Sequence, residues 1–176
     1  MLDPRDGTVP VGVDFTGEWE ILSNFREDQR QLARAISRTD GIDDRDIFRQ
    51  SSQSSNSRSS RSGRAKGGLV YIFLETGESL KITQTDYALF VSFDRSVVEE
   101  FRFGEYRTVT VGAAAAQRAT GWEGNALVVD TLDRNSMKMT DRFELLEAGR
   151  VLQRTITLRS EEGETESLVQ QYGKVD

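Results

Sequence analysis

MKMTDRFELLEAGRVLQRTITLR, residues 137–159, reads as two strands around one turn. Met137, Met139, Phe143 and Leu145 recur at even spacing, and so do Leu152, Ile156 and Leu158. A period of two lines one face of a pleated strand, whereas a helix would need apolar residues three and four apart. Glu147-Ala148-Gly149 supplies the break between the runs. One apolar and one polar face per strand is the pattern of an antiparallel sheet with a wet side.

Working outward, the same reading gives strand candidates at Leu69–Glu75, Leu80–Gln84, Ala88–Asp94, Val97–Phe103, Tyr106–Val111, Leu127–Thr131 and Ser167–Tyr172. Thr76-Gly77-Glu78, Phe93-Asp94-Arg95-Ser96, Glu123-Gly124-Asn125 and Glu162-Gly163-Glu164 punctuate them. Gly112 to Ala116 reads as a loop or helical turn bridging two strands. Short strands at regular spacing without intervening helices predict an up-and-down meander. A meander this long must close to hide its edges, so a barrel of about eight to ten strands is expected.

The front of the chain differs. Val11–Leu22 is strand-like, and Asn24 with Glu27 three residues on marks a helix start. Phe25, Leu32 and Ile36 share one helical face, and a second short helical turn is expected over Asp43–Gln50. Ser51–Gly68 is dominated by Ser, Gly and Arg, with no apolar periodicity. It is expected to be a disordered insert inside a single domain spanning residues 1–176.

Composition narrows the chemistry. The 176 residues contain no Cys and no His. That removes Cys nucleophiles, disulfides, Cys/His zinc sites and the Ser-His-Asp triad. Net charge is −6, and Arg49 to Lys66 holds five basic residues and no acidic one, so the remainder is more acidic than the total. Such a surface argues against a nucleic-acid partner. No run approaches the roughly 18 apolar residues of a membrane span, and Met1–Pro10 is polar. The expected location is cytoplasmic, or periplasmic or extracellular if a leader has been removed.

Phe15-Thr16-Gly17-Glu18-Trp19-Glu20-Ile21 resembles the Gly-x-Trp first strand of lipocalins and other calycins. The hairpin around Trp122-Glu123-Gly124-Asn125 and the next one, from Thr140-Asp141-Arg142-Phe143 to Leu158, resemble segments of lipocalin-like β-barrel proteins of bacteria. The resemblance covers most of the chain outside the insert. It implies that Trp19 packs across the barrel base with Gly17 allowing close approach, and that the protein is exported. It implies no activity.

Strand parity singles out three charges on otherwise apolar faces. Glu99 shares a face with Val97, Phe101 and Phe103; Asp141 with Met139 and Phe143; Arg154 with Leu152, Ile156 and Leu158. A buried charge without compensation is expensive, so these groups should pair with one another or with a ligand. On one reading Arg154 anchors a carboxylate inside the barrel, since a guanidinium forks onto a carboxylate. Fatty-acid-binding relatives among the calycins use arginines this way. Phe143 and Tyr87, on apolar strand faces, complete the candidate lining. On the blander reading Arg154 packs over Trp19 and pairs with Asp141 or Glu99. Trp19 and Trp122 are expected in the core. The carboxylates from Asp40 to Asp46 lack EF-hand spacing and are expected to cap a helix; no metal and no cofactor are expected.

The function expected is a non-catalytic binding module for a small hydrophobic or carboxylate-bearing ligand. The alternative is a structural or interaction protein of the bacterial cell envelope with a filled core. An enzyme finds no nucleophile–base pair, phosphate loop or metal cluster in this sequence.

Overall fold

The computed structural model describes residues 1–40 and 70–176. Its elements are β1 (Gly17–Ile21), α1 (Phe25–Asp40), a 3-10 turn at Val70–Phe73, β2 (Ser79–Gln84), β3 (Ala88–Phe93), β4 (Val97–Arg102) and β5 (Tyr106–Val111). There follow β6 (Ala114–Glu123), β7 (Ala126–Asp133), β8 (Lys138–Leu146), β9 (Val151–Arg159) and β10 (Thr165–Lys174). The expected second helical turn, the carboxylates beyond Asp40 and the Ser/Arg-rich insert lie outside the described residues.

The strands form one ten-stranded antiparallel sheet in the order β4-β3-β2-β1-β10-β9-β8-β7-β6-β5. β1 and β10 pair, so the two ends of the chain meet in mid-sheet. The sheet's own ends are β4 and β5, which are consecutive in sequence, yet among the described residues no ladder joins them. The meander curls into a half-barrel, as twisted strands do. The Gly104 N–H, in the turn between β4 and β5, donates to the Thr120 carbonyl on β6 at 2.8 Å. Side chains cross from β4 to β6: the Arg118 guanidinium lies 5.5 Å from the Phe101 ring centre, and Phe103, just after β4, meets Trp122 at 5.1 Å.

Local chemistry explains the elements. The Asn24 side-chain oxygen accepts from the Glu27 N–H at 3.1 Å, capping α1. Leu32, Ala33, Ala35 and Ile36 are buried, and the helix packs on β9 and β10. Burying Leu32 or Ile36 supplies about 1.5–3 kcal/mol each, which an isolated helix of this length would lack. Asp94 and Arg95, at φ 50° and 60°, make the primed turn that lets β3 and β4 pair without splaying.

Three expectations need correction. The strand expected from Val11 shrinks to Gly17–Ile21. Ahead of it the Gln84 amide replaces a ladder, accepting from the Phe15 N–H at 2.9 Å and donating to the Val13 carbonyl at 2.8 Å. Within the strand expected over Leu69–Glu75 lies the 3-10 turn, which buries Val70 and Phe73 at a spacing of three. The alanine run expected to form a loop instead opens β6, with Ala116 packed opposite Val109. Alanine has little strand preference of its own, so the neighbouring strand decides.

Inward residues fall into two apolar clusters. One, the aromatic cluster, holds Phe15, Trp19, Phe93, Trp122, Leu127, Phe143, Leu152 and Tyr172. The other, under α1 and the 3-10 turn, holds Leu32, Ile36, Val70, Met137, Met139, Ile156, Leu158 and Leu168.

Candidate functional site

Between the two clusters the inward faces change from apolar to polar and back. On β9 Arg154 lies between Leu152 and Ile156; on β8 Asp141 lies between Phe143 and Met139. On β10 Gln170 separates Tyr172 from Leu168, and on β6 Thr120 and Arg118 separate Trp122 from Ala116. Register ties these into a belt: Gln170 is opposite Arg154, and Arg118 is opposite Thr131. Glu99 on β4 meets the belt at β6, with a carboxylate oxygen 3.7 Å from Arg118 Nη1.

At the centre of the belt is a forked ion pair. Arg154 Nε donates to Asp141 Oδ1 at 2.9 Å, and Nη2 donates to Oδ2 at 2.6 Å. Arg154 is 1% exposed and Asp141 5%. The guanidinium also lies 5.2 Å from the Phe93 ring centre and 5.3 Å from that of Phe143. Burial disfavours the Arg154 charge, and the facing carboxylate more than offsets it, so its pKa is raised. Arg118 goes the other way: burial dominates, with Glu99 only partly opposing, and its pKa is lowered. Burial pushes the Tyr172 phenol up to about 12, against the pull of Arg154. That hydroxyl donates to the Gly77 carbonyl at 2.8 Å. Glu75, just after the 3-10 turn, is raised by burial and by Glu99, with Arg154 opposing.

Several donors of the belt are left over. Arg154 Nη1, Arg118 Nε, Gln170 Nε2 and Thr131 Oγ1 are buried and have no hydrogen-bond partner among the described residues. Arg154, Asp141, Arg118, Glu99, Glu75 and Thr131 line one interior space with Phe73, Phe93, Phe101, Val129 and Met139. Its volume is about 10 Å³, the size of one water molecule.

Of the residues singled out from the sequence, Arg154, Asp141, Glu99 and Phe143 come together here. Tyr87 does not: it is 80% exposed, so its assignment to the lining is corrected. Thr85 accepts from the Ala88 N–H at 3.1 Å and ends the strand alternation one residue too early for Tyr87. Trp19 is 1% exposed, and its ring nitrogen donates to the Phe15 carbonyl at 3.1 Å. The cation over Trp19 is Lys174, at 5.7 Å, not Arg154. Gly17, at φ +151°, sits where a Cβ would meet Lys174 Cε at 3.1 Å. Trp122 stacks on Phe15 with ring centres 5.9 Å apart. Sequence reading missed Arg118, Thr131, Glu75 and Gln170. Arg118 alternates with Ala116, Thr120 and Trp122, a signal the alanine run concealed.

The fold aligns with solved structures over nearly its whole length. Secretory abundant heat soluble protein 4 of Ramazzottius varieornatus superposes with a TM-score of 0.57 at 14% identity, covering 96% of this chain and 100% of that one. Fatty-acid-binding protein 1 of Echinococcus granulosus gives 0.55 at 13% identity, covering 92% and 98%. Zebrafish ileal bile acid-binding protein, solved with cholic acid, gives 0.50 at 20% identity, again covering 92% and 98%. The chain therefore shares the overall fold of these proteins. No protein-family model matches the sequence, and no curated protein does.

Proposed function

We propose that the protein is a non-catalytic binding module for a small apolar or amphipathic molecule, held with its polar end against the belt. The observation that carries this reading is the set of leftover donors on Arg154, Arg118 and Gln170 in a polar layer between two apolar clusters. Each buried donor left unpaired costs about 1–3 kcal/mol, and a ligand oxygen would recover part of that. Fold neighbours named for fatty-acid and bile-acid binding lend support. The space of about 10 Å³ admits a head group only, so a tail must displace Phe73 and Met139 from its wall. Met adapts to such repacking better than a branched side chain.

The test is native mass spectrometry of the purified protein together with thermal shifts across a panel of fatty acids, alcohols and bile acids. A co-purified small molecule, or a shift that rises with ligand concentration, supports the reading. Neither one, across the panel, overturns it.

The water-sized interior also favours a second reading: an interaction protein of the bacterial cell envelope whose barrel is simply filled. On that reading the belt fixes the register of the strands, and nothing enters.

A further inference from the structure

The belt's charges are unequal. Two guanidiniums, Arg154 and Arg118, share one space with three carboxylates, Asp141, Glu99 and Glu75. Asp141 takes both prongs of the Arg154 fork, and Nη1, with the Tyr172 phenol beside the guanidinium, has no hydrogen-bond partner of its own among the described residues. Arg118 already faces Glu99. No cation is left over for a second carboxylate, yet donors are left over for an oxygen.

Resting on the ligand-binding reading above, we infer that the belt selects an amphipath with an uncharged, hydrogen-bond-accepting head, such as an alcohol, ester or amide, over a carboxylate. A neutral oxygen accepts from Arg154 Nη1 and Arg118 Nε and adds no charge. A carboxylate brings a fourth negative group into a space that holds two positive ones, and like charges at close range repel. The carboxylate anchor expected from the sequence counted Arg154 without its partner.

Glu75 is the group whose protonation would change the outcome. Glu99 from β4 and Arg154 from β9 act on it directly, and Arg118 from β6 and Asp141 from β8 line the same space. Once Glu75 is neutral the belt balances, and the penalty on an incoming carboxylate falls.

Matched probes decide it: 1-decanol and decanoate, each displacing an environment-sensitive fluorescent reporter from the full chain at pH 8. Decanol should bind about tenfold or more tightly than decanoate, a preference worth about 1.4 kcal/mol. The preference should narrow in Glu75→Gln at pH 8, where decanoate stays ionised. Decanoate binding as well as decanol at pH 8, or a preference unmoved by Glu75→Gln, overturns this inference and leaves the binding reading standing. If neither probe binds, the binding reading fails and takes the inference with it.

Discussion

The aromatic cluster of the half-barrel and the belt beside it are held by opposite means. In the cluster Phe15, Trp19, Trp122 and Phe143 pack together, and their stability follows from area removed from water. In the belt, charge is placed where fat would serve as well, and the Arg154–Asp141 pair must offset its own desolvation. Apolar packing tolerates loss in proportion to the volume lost. A buried ion pair tolerates loss of both members better than loss of one.

The largest effect should come from splitting that pair. Arg154→Met leaves Asp141 buried and alone and should cost about 3–5 kcal/mol in urea unfolding. Arg154→Met combined with Asp141→Leu should recover most of that loss. A double variant as unstable as the single one would mean the belt holds the fold together, and the contrast with the aromatic cluster would collapse.

A smaller effect is expected where the N-terminal segment lies against β6. A Cβ on Gly121 would fall 2.4 Å from the Asp6 carbonyl oxygen and 2.5 Å from Arg5 Cβ. Gly121→Ala should cost about 1–3 kcal/mol by forcing the segment outward. The Arg5–Asp130 contact, 2.7 Å here, should loosen with it. Faster amide exchange at Trp122, whose N–H is held by Asp6, would report the movement.

The smallest effect sits where the two regions join. Tyr172→Phe removes the hydroxyl bond to Gly77 and should cost about 1 kcal/mol. Its folded pKa of about 12 lies above the ordinary value of 10.0. The native state therefore keeps its proton longer than the unfolded one, and stability falls as pH rises from 10 toward 12. Chemical denaturation across that window should show a shallower decline in Tyr172→Phe than in the native chain.

How much of this was readable beforehand follows from what period-two alternation can see. It placed Arg154, Asp141 and Glu99 inward because each sits mid-strand among large apolar residues. It misplaced Tyr87 because alternation continues on paper past the point where the Thr85 turn ends it. Arg118 was hidden by alanines that carry no strand signal until β5 pairs with them. Glu75 was out of reach because a spacing of three, not two, governs Val70 and Phe73. Which cation covers Trp19 depends on which strand ends meet, and β10 pairing with β1 sets Lys174 opposite it. Long-range register of that kind leaves no local trace in the sequence.

The central claim is that the belt's donors exist to meet a ligand. It is tested most directly by 1-decanol affinity in the Arg154→Met/Asp141→Leu variant, once urea unfolding has shown that variant to be folded. The account predicts decanol affinity at least about tenfold weaker than in the native chain, since the Nη1 donor is gone while the apolar clusters remain. Native-like affinity in a folded double variant would contradict it.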